Sequence, residues 1–177
     1  SSAPARAVAA ARIPIVGEIE LAYGLCVAPI AAVTGTKGKS TTTALIGHLL
    51  RGAGKRAIVG GNIGNPLVRE VAQATASDWV VAEVSSFQLE STRAFHPRIA
   101  VLLNVTEDHL DRYASMDEYA EAKFRIAKNQ GARDTFVGNL DDERVRAFGA
   151  SDRVAARKQW FSLRESPESA MFVRDGV

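Results

Sequence analysis

Seven consecutive residues, Gly35-Thr36-Lys37-Gly38-Lys39-Ser40-Thr41, combine glycines, lysines and hydroxyls in a way that suits a polyphosphate. Glycines let backbone N–H groups turn inward, and a helix N-terminus behind them adds partial positive charge. Lys39 can reach terminal phosphates, and the Ser40 hydroxyl can hold Mg²⁺. The general pattern, G-x-x-x-x-G-K-[ST], would put its first glycine at Val33, so this loop is a shortened variant. The plain alternative is a glycine turn between a strand and a helix.

Three further residues could do chemistry. Glu83 ends the apolar run Trp79-Val80-Val81-Ala82. A charge there is costly unless it is paired or bound to metal, and beside a phosphate loop an acid in this place commonly holds Mg²⁺. It could also simply reach solvent. His109, within Glu107-Asp108-His109-Leu110-Asp111, is either a solvated loop histidine or a metal or substrate contact. Lys123 falls in the middle of an apolar helical face made by Met116, Tyr119, Ala120, Phe124, Ile126 and Ala127. A snorkelling lysine would sit at the edge of that face, so the choice is a functional lysine or a buried ion pair.

These residues need elements to hold them. Pro29 to Val33 reads as a buried strand, and the helix pattern Leu45, Ile46, Leu49, Leu50 follows the loop. Arg51-Gly52-Ala53-Gly54 is a C-cap. Ala57 to Gly61, Trp79 to Val84, Ile99 to Val105 and Thr135 to Val137 read as further strands. Ser115-Met116-Asp117-Glu118 is a capping box that opens a helix to about Gln130. Ile13 to Gly17 reads as a last short strand of something earlier, and Glu18 to Leu25 as a short helix ended by Gly24. Val154 to Leu163 and Ala170 to Val173 read as a small hairpin or separate sheet. Alternation of strands and helices predicts an α/β fold with a mostly parallel sheet flanked by helices, P-loop NTPase-like. Ligands of such sheets sit at the carboxyl ends of strands. Those ends carry Gly35 to Ser40, Asn62, Glu83, Asn104 to His109, and Asn139.

Composition narrows the class. The chain has 177 residues, 46% hydrophobic and 24% charged, an ordinary globular balance. Lys+Arg 22 against Asp+Glu 20 gives +2, which points to no nucleic-acid or acidic-lipid partner. The single Cys26 rules out an internal disulfide and suits a reducing, cytoplasmic setting. No apolar run approaches the ~20 residues of a membrane helix. The first residue is Ser, and the start reads as a cut through a longer chain.

At these residues the sequence resembles the Mur ligase family, ATP-dependent amide-bond ligases of peptidoglycan synthesis. Gly35 to Thr41 looks like the family's shortened P-loop, with Lys37 where Asn is more usual. Gly60 to Gly64, Glu83-Val84-Ser85-Ser86-Phe87-Gln88-Leu89-Glu90 and Asn104 to Arg112 are similar to segments of its D-glutamate-adding branch. Ala122 to Ile126 resembles the segment holding the family's carbamylated lysine, here Lys123. Asn139 to Asp142 resembles the stretch near the adenine. The resemblance implies a monomeric cytoplasmic enzyme with ATP, two Mg²⁺ sites, UDP-N-acetylmuramoyl-L-alanine and D-glutamate. It implies Lys39, His109 and Lys123 as catalytic residues, and Gly35 to Thr41 with Asn139 as the nucleotide site. Asn62, Ser85, Ser86 and His109 would meet substrate, and Ser40, Glu83, His109 and Lys123 would hold metal. It also implies that residues 1–17 are the tail of an N-terminal UDP-binding domain and 18–177 an incomplete central ATP-binding domain. A C-terminal domain would lie outside this chain. Three rivals stay open: a sister ligase adding another amino acid or glutamylating folate, a P-loop ATPase with no ligase activity, and a fragment that binds nucleotide but is catalytically silent by itself.

Overall fold

The structure is a computed structural model that describes residues 10, 11, 13, 15–108 and 111–173. Its strands are β1 (Ile30–Thr34), β2 (Ala57–Gly61), β3 (Trp79–Glu83), β4 (Ile99–Leu102), β5 (Thr135–Asn139), β6 (Arg157–Ser162) and β7 (Met171–Phe172). Its helices are α1 (Glu18–Leu25), α2 (Lys39–Gly52), α3 (Leu67–Val71), α4 (Ser86–Glu90), α5 (Met116–Phe124) and α6 (Glu143–Ala150), with a 3₁₀ turn at Arg125–Ala127.

The strands form one sheet in the order β2-β3-β1-β4-β5-β6-β7, and every pairing is parallel. β1, β3 and β4 are apolar on both faces, as strands covered from two sides must be. β1 lies between β3 and β4, so the chain leaves it in one direction and later returns on its other side. That is the switch point where a crevice opens at the strand ends. Register brings the ends level: Val33 pairs with Glu83, and Thr34 with Leu102.

Helices α1, α3, α4, α5 and α6 pack on one face through Ile19, Leu67, Leu89, Tyr119 and Val145, all buried against Ala32, Ala82, Leu102 and Phe136. On the other face α2 packs on β1 to β3, with Gly47 so close to Val59 that a Cβ would lie 2.4 Å from its methyl. Past α2, Val101, Leu103, Val137 and Phe161 line an apolar groove of about 430 Å³.

The predicted C-cap of α2 forms: Lys55 N–H donates to Leu50 O and Gly54 adopts φ +74°. Three expectations change. The described residues of Ile13 to Gly17 lie outside any strand. α5 stops at Phe124 and tightens into the 3₁₀ turn instead of running to Gln130 as one helix. The predicted hairpin is absent: β6 joins the main sheet beside β5, and β7 runs parallel to it. The link 163–170 leaves β6 with Leu163 N–H bonded to Asp141, contains a turn closed by Ser169 N–H onto Ser166 O, and returns so that Ala170 N–H donates to Trp160 O and β7 lies beside the end of β6 in the same direction. Alternating hydrophobicity marks a strand but carries no sign of its direction.

Candidate active site

The phosphate-type loop lies at the end of β1. Gly38 takes φ +83°, a left-handed conformation that glycine adopts freely, and turns the chain into α2. The first N–H groups of α2 have no intrahelical acceptor. Lys39 Nζ donates to Thr36 O at 2.9 Å, folded back over the loop. Ser40 and Thr41 are exposed at the helix start.

The loop is braced from the β4 side. Asn104 Oδ1 accepts from Thr36 N–H at 3.0 Å and Lys37 N–H at 2.8 Å, and Asn104 Nδ2 donates to Lys37 O at 3.0 Å. Thr36 Oγ1 donates to Thr106 O and accepts from Thr106 N–H. Tyr119 Oη reaches the same Oγ1 at 3.3 Å from α5.

Glu83 is 2% exposed at the end of β3. Its Oε1 accepts from Asn62 Nδ2 at 3.0 Å, while Oε2 is buried with no hydrogen-bond partner among the described residues. So Glu83 does not reach solvent, and one of its oxygens still needs a donor or a cation. The Asn62 loop is pinned from behind, because Asn62 N–H donates to Glu83 O at 2.9 Å. Gly61 has φ +106°, and a Cβ on it would lie 2.3 Å from Glu83 O. Gly61→Ala should therefore cost on the order of 3 kcal/mol through backbone strain and displacement of β3. A urea titration checks this; a loss below about 0.5 kcal/mol would mean that the two strand ends are not so tightly joined.

Lys123 is 2% exposed, on the buried face the sequence predicts for it. Its Nζ donates to Gly35 O at 2.8 Å and lies 4.5 Å from the centre of the Tyr119 ring. Burial pulls its pKa down to about 7; the Lys39 charge adds to the fall and Asp108 opposes it. Among the described residues the lysine is thus bound to the phosphate loop rather than sealed in an ion pair, and a large share of it is free amine at neutral pH.

Other predicted residues have visible structural work. Ser85 caps α4 in a capping box with Gln88. Ser86 is buried and shares a hydrogen bond with the Tyr113 hydroxyl. Tyr113 also bonds to Glu90, and burial foremost, then Glu90, pushes it up to about 12. Phe87 stacks on Tyr113, with the Arg112 guanidinium 4.3 Å from the Phe87 ring centre. The run Ser85 to Glu90 is thus fastened to residues 112–113. Asn139 Nδ2 donates to Leu103 O and its Oδ1 accepts from Asp141 N–H, so both ends of the amide are engaged within the fold. His109 lies outside the described residues. Sequence reasoning did not single out Asn104, Thr106 or Tyr119 as individual site residues; their partners are remote in the chain and leave no local pattern.

A phosphate-type loop, a buried carboxylate with one unsatisfied oxygen and a buried lysine bonded to that loop thus share one edge of the sheet. The Mur ligase middle domain matches residues 33–170, and this chain belongs to that family. It is 48% identical over 164 residues to the UDP-N-acetylmuramoylalanine–D-glutamate ligase of Alkaliphilus oremlandii, covering 93% of this chain and 36% of that protein. It is 54% identical over 135 residues to the ligase of the same name from Syntrophotalea carbinolica, covering 76% of this chain and 30% of that one. The chain therefore spans about a third of the length of these relatives. Among solved structures it resembles a UDP-N-acetylmuramoyl-L-alanyl-D-glutamate–2,6-diaminopimelate ligase, with TM-score 0.68 and 26% identity over 94% of this chain and 36% of the other. It also shares its fold with the MurF ligase of Thermotoga maritima, solved in complex with ADP, with TM-score 0.63 and 22% identity over 83% of this chain and 35% of that one.

Proposed function

We propose that this chain is the ATP-binding part of a UDP-N-acetylmuramoyl-L-alanine:D-glutamate ligase, working in the cytoplasm. The observation that carries the reading is the convergence of Lys39, Glu83 and Lys123 on one edge of the sheet. The relatives that bear this name support the choice of substrate pair, and so does the Ser85 to Glu90 run. Residues 18–177 would belong to the central domain and residues 1–17 to the tail of an N-terminal UDP-binding domain.

The chemistry follows from charge. A substrate carboxylate oxygen attacks the γ-phosphorus of ATP, the bond to ADP breaks, and an acyl phosphate forms. The amine of D-glutamate then attacks the acyl carbon, and inorganic phosphate leaves. In the first step two anions approach each other. Lys39 and the N-terminal amides of α2 offset that repulsion. The unsatisfied Glu83 Oε2 and the exposed Ser40 hydroxyl are hard oxygen donors of the kind Mg²⁺ prefers, and they would hold one ion. Mg²⁺ there would neutralise phosphate charge. His109 and a carbamylated Lys123 would hold the second.

The test is ADP release by the full-length protein with UDP-N-acetylmuramoyl-L-alanine, with and without D-glutamate. Amide product that depends on both supports the reading. Slow ATP hydrolysis indifferent to both would favour the non-ligase ATPase, and product with another amino acid alone would favour a sister ligase. Glu83→Gln supplies a second check. It keeps the bond from Asn62 within reach and removes the charge, so Mg²⁺-ATP affinity should fall roughly 10- to 100-fold while metal-free ATP affinity holds. Equal losses in isothermal titrations with and without Mg²⁺ would make Glu83 a structural acid.

A further inference from the structure

Asn104 follows β4, half-buried, and meets the phosphate loop across 67 positions of sequence. Its side-chain amide is matched to one residue of that loop. Oδ1 takes the N–H of Lys37 and Nδ2 gives to the C=O of Lys37, while Oδ1 also takes the N–H of Thr36. Both peptide groups that flank Lys37 are thereby held by one side chain.

The bonds are not required to keep the loop beside β4. Leu103 N–H donates to Thr34 O, Thr36 N–H also donates to Asn104 O, and Thr36 Oγ1 exchanges two bonds with Thr106. What Asn104 adds is orientation. The next residue is Gly38 at φ +83°, whose freedom about φ makes it a ready pivot for the Lys37–Gly38 peptide. A flip of that peptide would turn the Lys37 carbonyl toward the place where an anion sits and the Gly38 N–H away from it. The bond from Asn104 Nδ2 to Lys37 O blocks the flip.

We propose that Asn104 is a positioning residue for polyphosphate, which keeps the Lys37 carbonyl oxygen turned away from the anion site. The proposal rests on the nucleotide-binding reading above. It acts through the loop and needs no contact between Asn104 and the ligand.

The experiment titrates the full-length protein and its Asn104→Ala and Asn104→Asp variants with ATP, inorganic tripolyphosphate and adenosine, and records thermal melts. Asn104→Ala should lose roughly 10- to 100-fold in affinity for ATP and tripolyphosphate, with adenosine affinity unchanged. Asn104→Asp keeps an acceptor for both N–H groups but has no donor for Lys37 O. It should melt near the parent and still lose polyphosphate affinity, and it carries the test if the alanine variant does not fold. Unchanged tripolyphosphate affinity in both variants would overturn the proposal. So would losses of equal size for adenosine and tripolyphosphate together with a lowered melting point, the mark of a merely structural residue. A parent protein that binds neither ATP nor tripolyphosphate would overturn the nucleotide reading itself, a result separate from either outcome in the variants.

Discussion

Lys39→Ala removes measurable ATP binding and leaves the melting temperature nearly unchanged. The side chain is half-exposed over the loop, and its one hydrogen bond among the described residues is to Thr36 O, an acceptor that water can reach once the lysine is gone. Its loss opens no cavity, so stability should move by no more than about 0.5 kcal/mol. The effect on binding is of another size. A charge-assisted contact to phosphate in a partly desolvated site is worth about 3 kcal/mol, or more than a hundredfold in affinity. Isothermal titration with ATP and adenosine separates the two, since only ATP should weaken. The substitution has a second consequence at Lys123. The charge of Lys39 helps to hold the Lys123 pKa down, so removing it should move that pKa upward. Competitive acylation of Lys123 across pH 6 to 9 reads this shift. An ATP affinity unchanged in the variant would remove Lys39 from the phosphate site.

Much of this site can be read along the chain because its parts sit at strand ends. An apolar run that stops at Gly35, another that stops at Glu83 and a third that stops near Asn104 give both the parallel sheet and its functional edge. Lys123 is legible for a different reason: period 3.6 places it at the centre of a buried face, and that face is where the structure puts it. What the chain hides is pairing at a distance. That Asn62 is the partner of Glu83, or Asn104 of Lys37, depends on which strands become neighbours, and local pattern does not encode the order β2-β3-β1-β4. The Ser85 to Glu90 run shows the limit most clearly. It reads as a substrate segment, yet Gln88 caps a helix and Glu90 binds Tyr113 and Arg112, so much of the motif serves to fix the strand-to-helix turn after Glu83. The direction of β7 was illegible for the same reason: a two-residue strand has periodicity but no topology.

Lys123→Ala should lower the ligase turnover of the full-length protein about 10²- to 10³-fold, and a short carboxylate should restore part of it. Solvation sets the state of this amine. Buried at 2% exposure with Lys39 nearby, the ammonium is held to a pKa of about 7, so free amine is abundant at neutral pH. Free amine adds to CO₂, loses a proton, and becomes a carbamate whose two oxygens suit Mg²⁺. The rival is an unmodified lysine paired to Asp108 or Asp111. Against it, the Nζ hydrogen bond runs to Gly35 O, and the charge of Asp108 is outweighed by burial. Stability gives an independent check on the unmodified state. The folded pKa of about 7 lies below the ordinary lysine value of 10.5, so between those limits the unfolded chain binds the extra proton. Stability from this group therefore rises with pH from about 7 toward 10.5, and its full penalty is present below 7. Lys123→Met should flatten that rise and gain on the order of a few kcal/mol at pH 6, less the cost of leaving Gly35 O without its donor. Denaturant titrations at several pH values in bicarbonate-depleted buffer measure the slope. Activity of Lys123→Ala with added acetate decides the carbamate: partial restoration supports it. No restoration, together with parent activity indifferent to bicarbonate depletion, would leave the lysine unmodified, acting as a cation that braces the phosphate loop.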